Sequence, residues 1–224
     1  MMNVSTTARA MAAANKSGLP VTKVRPHTLI LGAKLDPTES SYDLDLRDEK
    51  QSSILPGVTR GLVDRDGFIA SAMGLALYSV PVIGGTEYPT NGQLAFFPDA
   101  NIFAAAAAAP GVLSETQQLE SIYMGDHTLK TNEGIRLEKN PNYLFRTAHQ
   151  TQTSGTTSNM LTGIEYKDLG ADVRFGGGDD NLITISHKCL DKTLIGGPAE
   201  RNNYILVFLL GVVFKGGTTK AYLG

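Results

Sequence analysis

Histidine and cysteine side chains can bind a metal, and cysteine and serine can attack a substrate as nucleophiles. The four histidines stand far apart, and none has a metal-ligand spacing such as H-E-x-x-H: His27, His127, His149 and His187. No G-x-S-x-G elbow presents a serine, so the sequence arranges no Ser-His-Asp triad. The single cysteine, Cys189, excludes an internal disulfide and a thiolate metal centre. We therefore predict no catalytic residue, no metal or other cofactor, and no enzymatic activity.

Three short segments rich in glycine or aspartate could bind an ion or a phosphate. Residues 64–67, Asp-Arg-Asp-Gly, lack the third acidic position and the closing glutamate of a calcium loop. Residues 176–181 place Asp179 and Asp180 after three glycines, but only once, whereas calcium-binding nonapeptides need stacked copies. Residues 196–198 lack the lysine of a phosphate-binding loop. All three segments are predicted to be turns.

Positive charge is concentrated at the start of the chain, although the net charge is only −2. No acidic residue precedes residue 36, and the basic residues before it are Arg9, Lys16, Lys23, Arg25 and Lys34. Because prolines at positions 20 and 26 oppose a helix, residues 1–26 are predicted to form an extended basic arm. The arm is either a solvated tail or a segment that lies on a neighbouring subunit, nucleic acid or anionic lipid. Its candidate contact residues are Arg9, Lys16, Lys23 and Arg25.

Residues 27–224 have the periodicity of an all-β domain. Residues 42–46 and 135–139 alternate apolar with charged side chains, which is typical of strands with one solvated face. Residues 68–78 and 204–214 are long apolar runs typical of strands buried on both faces, and residues 143–147 are a further strand candidate. Short strands at roughly ten-residue spacing predict a β-sandwich or barrel.

One or two short helices are expected as an insertion near residues 99–123. Residues 101–109 are mostly alanine, follow a capping residue in Asp99 or Asn101, and stop at Pro110. Ser114 and Gln117 have the spacing of a capping box before residues 115–122. Residues 119–123 also fit a strand, so the second helix stays one of two alternatives.

Two segments combine these elements in a recognisable order. In residues 62–69 running into 73–77, a polar turn is followed by Phe68 and a long apolar strand. Residues 122–152 are a run of short strands that ends in a polar loop. Both segments resemble the coat proteins of small tailless icosahedral bacteriophages with jelly-roll subunits. The resemblance implies a jelly-roll β-sandwich, single rather than double, with the arm preceding a capsid-type domain.

The same resemblance implies a structural role. Such a subunit assembles in many copies into an icosahedral capsid shell, in a virion that forms in the host cytoplasm. Its partners are further copies of itself and other virion proteins. Viral nucleic acid or an internal membrane are additional partners that the basic arm could reach.

A non-catalytic binding module is the alternative function. A β-sandwich that binds carbohydrate or a receptor, as a spike or a lectin does, also needs no active site. Such a site usually shows exposed aromatic side chains or a calcium loop, and this chain contains no tryptophan. A cupin-like enzyme is a further alternative, and it would need clustered histidine and carboxylate ligands. Another shell or tail component is a third, and only the shape of the assembled particle would distinguish it from a coat.

Overall fold

The computed structural model describes residues 4–16, 23–47, 62–103, 113–146, 166–187 and 200–215. These residues form two antiparallel sheets, two α-helices and two short 3₁₀ helices, Pro89–Asn91 and Asn142–Phe145. In chain order the helices and strands are α1 (Val4–Lys16), β1 (Val24–Lys34), β2 (Ser41–Asp45), β3 (Gly67–Ile83), β4 (Thr86–Glu87), β5 (Gln93–Ala95), α2 (Glu115–Tyr123), β6 (Asp126–Thr131), β7 (Gly134–Pro141), β8 (Lys167–Gly176), β9 (Leu182–Ser186) and β10 (Arg201–Phe214).

The larger sheet is organised around its two longest strands, β3 and β10, which pair antiparallel along their whole length. β1 pairs with the other edge of β10, from Val24 opposite Phe214 to Lys34 opposite Tyr204. The free edge of β3 pairs in succession with β8, β5 and β4. The smaller sheet has the strand order β2-β9-β6-β7, again antiparallel throughout.

One hydrophobic core fills the space between the two sheets. It combines alternate residues of the larger sheet with alternate residues of the smaller one, among them Leu29, Leu31, Leu75, Leu77, Ile205, Val207, Leu44, Leu129, Ile183 and Ile185. The predicted all-β sandwich is therefore confirmed. The smaller sheet also has the expected solvated face, where Thr184 Oγ1 donates to Asp43 Oδ1 at 2.7 Å and Ser186 Oγ donates to Asp126 Oδ1 at 2.8 Å.

The larger sheet is apolar on its outer face as well, which explains the unbroken apolar runs of β3 and β10. One buried group on that face consists mainly of Ala72, Ala76, Tyr78, Leu206, Phe208 and Leu210. A second group lies under α1, where Ala10 and Ala14 pack against Ile69, Val212 and Phe214. The helix thus adds a third layer at one end of the sandwich.

Helix α1 corrects the prediction of an extended arm, which is wrong for residues 4–16. Six of the thirteen residues of α1 are alanine or methionine, both strong helix formers. The two prolines do not prevent this helix, because both come after its last residue, Lys16. Residue 20 lies outside the described residues, and Pro26 lies within β1, an edge strand in which a proline is tolerated.

Helix α2 is confirmed, together with its capping box. Ser114 Oγ accepts from the Gln117 amide at 3.2 Å, and Gln117 Oε1 accepts from the Ser114 amide at 2.9 Å. The strand alternative for residues 119–123 is wrong. The strand predicted at 143–147 is also wrong, because Asn142–Phe145 forms a 3₁₀ helix. Most of the alanine-rich segment 101–109 lies outside the described residues.

Candidate functional site

The side chains capable of acid–base or metal chemistry do not converge in the described part of the chain. There, no three histidine, cysteine or acidic side chains lie close enough to hold a metal ion. The Asp179–Asp180 turn predicted between β8 and β9 is present, and Asp180 pairs with Arg47 Nη1 at 3.2 Å. His149, Cys189 and residues 196–198 lie outside the described residues.

His127 is a buried packing residue. Its Nδ1 lies 3.1 Å from Asn142 Oδ1, and its ring packs edge-on against Phe145 at 4.6 Å. The side-chain amide nitrogen of Asn142, Nδ2, donates to the carbonyl oxygens of Ile122 and Ser186 at 2.9 and 3.0 Å. Burial lowers the pKa of His127, which favours the neutral ring. The histidine and the asparagine together join α2, β6, β9 and the second 3₁₀ helix.

Arg9, the first candidate residue of the arm, anchors α1 to the larger sheet. Its Nε donates to Asp172 Oδ1 at 2.9 Å, and its Nη1 donates to both oxygens of Asp168 at 2.7 and 2.8 Å. Its Nη2 donates to the carbonyl oxygen of Ser71 at 2.9 Å. We call this group the Arg9 clamp: Arg9, Asp168, Asp172 and the Ser71 carbonyl.

Irregularities in two strands create the Arg9 clamp. The pairing of β3 with both β10 and β8 shifts register between Ala70 and Ala72, so that Ser71 falls at a bulge. On β8, the residues between Asp168 and Val173 leave the ladder, with Gly170 at φ +74°. A bulge bends the strand and re-aims its side chains. Both carboxylates thereby reach one guanidinium group, which is engaged within its own chain.

The other three candidate residues lie at the surface. Lys16 ends α1, while Lys23 and Arg25 stand at the start of β1, and all three side chains are exposed. The structure brings Arg25 together with two basic residues that sequence spacing did not connect to it, His27 and Lys215. Because Arg25 is paired with Val213, the next residue on the same face of β10 is Lys215.

These residues line a hollow at the end of the sandwich where β1 begins and β10 ends. Its volume is about 260 Å³. We call it the basic hollow. Its lining consists of Arg25, Pro26, His27, Leu62, Val63, Asp66, Val213 and Lys215. Among the described lining residues, two permanent cations face one carboxylate, so their combined charge is positive.

Short contacts hold the wall of the basic hollow in place. The Gly177 amide donates to the Asp66 carbonyl oxygen at 2.8 Å, and the Asp66 amide donates to that of Val63 at 2.8 Å. A Cβ on Gly177 would overlap the Val63 carbonyl oxygen, so this close approach requires glycine. On the opposite wall, the Lys215 amide donates to the Lys23 carbonyl oxygen at 3.3 Å.

The pKa of the His27 imidazole is affected by its position in the basic hollow. Partial burial, followed by repulsion from Lys215, lowers the pKa of His27. Its ring lies edge-on to Phe68 with centroids 6.4 Å apart. The ring is therefore held mainly neutral at neutral pH, with a nitrogen available as a hydrogen-bond donor.

A polar cluster at the opposite end of the larger sheet ties three strands together. Tyr204 Oη donates to Glu87 Oε2 at 2.6 Å, Asn202 Nδ2 donates to Glu87 Oε1, and Lys34 Nζ lies 3.7 Å from Glu87 Oε1. The hydrogen bond from Tyr204 is the main reason that the pKa of Glu87 is lowered. The cluster links β1, β4 and β10 and has the character of a structural ion pair.

Exposed apolar side chains gather where α2 ends. Met124, Tyr143 and Leu144 are 58, 40 and 50% exposed, and we call them the Met124 patch. The backbone amide of Asn142 donates to the Gly125 carbonyl oxygen at 3.0 Å, which holds the 3₁₀ helix Asn142–Phe145 beside the end of α2. The guanidinium of Arg146 lies 3.6 Å from the centre of the Tyr143 ring.

Comparison with protein-family models, with curated proteins and with solved structures gives no significant match. In the described residues, neither helix has the length and apolar character needed to cross a membrane.

Proposed function

We propose that this chain is a structural virion protein, the coat subunit of a small tailless icosahedral bacteriophage. In this role it assembles in many copies into a capsid shell within the host cytoplasm, with other virion proteins as further partners. No side chain of the subunit performs catalysis, and its function lies in its shape and in its contacts with neighbours. The order of strands in the two sheets carries the proposal.

The strand order supports a jelly roll. The eight strands that build the two sheets, apart from the short β4 and β5, are β1, β2, β3, β6, β7, β8, β9 and β10. If they are counted from one to eight, the larger sheet has the order 1-8-3-6 and the smaller sheet 2-7-4-5. A long antiparallel ribbon that pairs 1 with 8, 2 with 7, 3 with 6 and 4 with 5 gives this order when it is wound into two sheets. Eight strands in one sandwich favour a single jelly roll.

Features of the surface favour a coat over the other proteins that use jelly rolls, which include lectins and cupins. The start of β1 and the end of β10 meet at a basic end with Lys23, Arg25 and Lys215, whereas the solvated face of the smaller sheet carries charges of both signs, among them Asp43, Asp126 and Lys130. A subunit with one basic end can orient that end towards a polyanion inside a shell. The Met124 patch offers apolar surface to a neighbour.

The alternative, a carbohydrate- or receptor-binding sandwich, has weaker support. Sugar rings commonly stack on the open face of an aromatic side chain. Tyr88 and Tyr143 are each 40% exposed, and Arg146 covers one face of the Tyr143 ring. A glycan-array screen of the purified chain tests this alternative, because it measures carbohydrate binding directly.

The decisive experiment is negative-stain electron microscopy of the purified full chain, with light scattering on the same sample. Closed particles of uniform diameter are the expected result. A monomer that persists at high concentration, across salt and pH, would contradict the proposal and favour the binding module. Tubes or open sheets would identify a different kind of assembly component.

A further inference from the structure

We propose that the basic hollow binds a phosphate group that is carried on a nucleotide. The inference goes beyond the proposed shell role, since it concerns a ligand of each subunit and holds for a monomer as well as for a particle. It rests on the composition of the lining, on the placement of the donors and on the size of the hollow.

The donors are the groups that proteins use to hold phosphate. Arg25 presents a planar guanidinium group with several N–H donors, and Lys215 presents a compact ammonium group. His27 adds one imidazole nitrogen from the same strand as Arg25. Charged donors bind phosphate oxygens more strongly than neutral donors do. Among the described residues, Asp66 is the one acidic side chain that lines the hollow, so positive charge prevails in that part of the lining.

The donors converge because of the sheet register. Arg25 and His27 are two residues apart on β1 and therefore lie on the same face, roughly 7 Å apart along the strand. Lys215 follows Phe214, which pairs with Val24, and thus completes the group from the neighbouring strand. The side chains of Arg25 and Lys215 are exposed, and neither has an ion pair among those found in the described residues.

The size and the apolar walls indicate a ligand larger than a phosphate ion. At about 260 Å³ the hollow approaches the range of small-molecule sites, which begins at roughly 300 Å³. Leu62, Val63 and Val213 provide apolar surface beside the cationic groups. A phosphate near Arg25 and Lys215 with a sugar or base against this wall satisfies both parts of the lining.

A nucleotide phosphate has two sources, a free nucleotide and the backbone of a nucleic acid. The chemistry at the hollow is the same for both, so binding measurements must separate them. A nucleoside monophosphate tests the free ligand, and a short single-stranded oligonucleotide tests the backbone. Inorganic phosphate tests the contribution of the anion alone.

The test is isothermal titration calorimetry of the full chain with these three ligands. We expect saturable binding of the nucleoside monophosphate at one site per chain. Arg25→Gln and Lys215→Gln should each weaken it by roughly tenfold, which corresponds to the loss of one charged contact. The matched control is Lys130→Gln, because Lys130 is exposed on the solvated face of the smaller sheet, and its binding should equal that of the unmodified chain.

Each outcome decides the inference. Binding that is weakened about tenfold in both hollow variants but unchanged in Lys130→Gln supports it, provided that thermal unfolding shows all variants folded. Tighter binding of the oligonucleotide identifies the backbone as the source, whereas equal binding identifies the free nucleotide. Absence of saturable binding, or equal weakening in Lys130→Gln, would overturn the phosphate site. Electron microscopy of the same samples reports on shell formation separately, so the two proposals can fail independently.

Discussion

At the scale of single residues, Arg9 shows how a charge can serve structure although its position suggests an intermolecular role. The residue lies in a segment without acidic residues, which is why the sequence predicts a basic arm. Its partners Asp168 and Asp172 follow 159 and 163 residues later. Local spacing does not predict contacts at that separation, because they form only when β8 pairs with β3 and α1 packs on the same sheet.

Replacement of Arg9 should loosen α1 without unfolding the sandwich. In Arg9→Ala, two carboxylates and the Ser71 carbonyl lose their donor, while Ala10 and Ala14 still pack on the sheet. Because the ion pairs are partly exposed, we expect a loss of about 1 kcal/mol. Hydrogen exchange should become faster in residues 4–16. Lys16→Ala is the control on the same helix, and equal protection in both variants would contradict the assigned role of the clamp.

Acid should weaken the same contact. The hydrogen bond from Arg9 is the main reason that the pKa of Asp168 lies below its ordinary value of 3.8. A carboxyl whose pKa is lowered by folding stabilises the folded state above its ordinary pKa, and this contribution is lost as the pH falls through the lowered value. We expect the protection of α1, corrected for intrinsic exchange, to be constant from about pH 5 to 8 and to fall below about pH 4. Loss of protection near pH 6 would contradict this assignment.

At the scale of elements, the sequence predicts best what is encoded locally. The apolar runs at 68–78 and 204–214 indicate buried strands, and Ser114 with Gln117 identifies the start of α2. Both expectations are confirmed. The helix α1 is not predicted because the prolines at positions 20 and 26 are given more weight than the alanines before them. A proline breaks a helix only at its own position, and both prolines follow the end of α1 at Lys16.

The candidate site could be predicted only in part, for a related physical reason. Arg25 is visible as a basic residue near the first strand. Its association with Lys215 depends on β1 pairing with β10, and the wall formed by Val63 and Asp66 depends on a loop between strands of different sheets. Such juxtapositions follow from sheet register rather than from any local pattern.

Gly177 offers a direct test of the packing behind the basic hollow. Gly177→Ala places a methyl group against the Val63 carbonyl oxygen, and the loop must move; we expect a loss of stability of about 1–3 kcal/mol. Gly178→Ala is the matched control, since its Cβ would lie 3.4 Å from the Asp64 carbonyl oxygen and both glycines lie in the same turn. Urea unfolding of the two variants measures the difference. Equal midpoints would show that the loop yields without cost.

At the scale of the whole molecule, the proposed shell requires apolar surface that only a neighbour covers. Leu144 is half exposed and stands in the Met124 patch. If the patch is an interface, Leu144→Glu should abolish particles, because a charge would be buried without a partner. Leu144→Met keeps the apolar surface and should still form particles. Light scattering and thermal unfolding measure assembly and fold, and unchanged particles in Leu144→Glu would exclude the patch as an interface.

The position of β10 between β1 and β3 has a consequence for the synthesis of the chain. β1 and β3 emerge from the ribosome early, but each forms its ladder with a strand that begins at Arg201. Pairings of such long sequence separation form slowly, because a long loop must close before they are made. A nascent chain that has not reached residue 201 therefore leaves two apolar strands without their common partner. The larger sheet can be completed only after translation has delivered β10, and until then the edges of β1 and β3 that pair with β10 stay open to other partners.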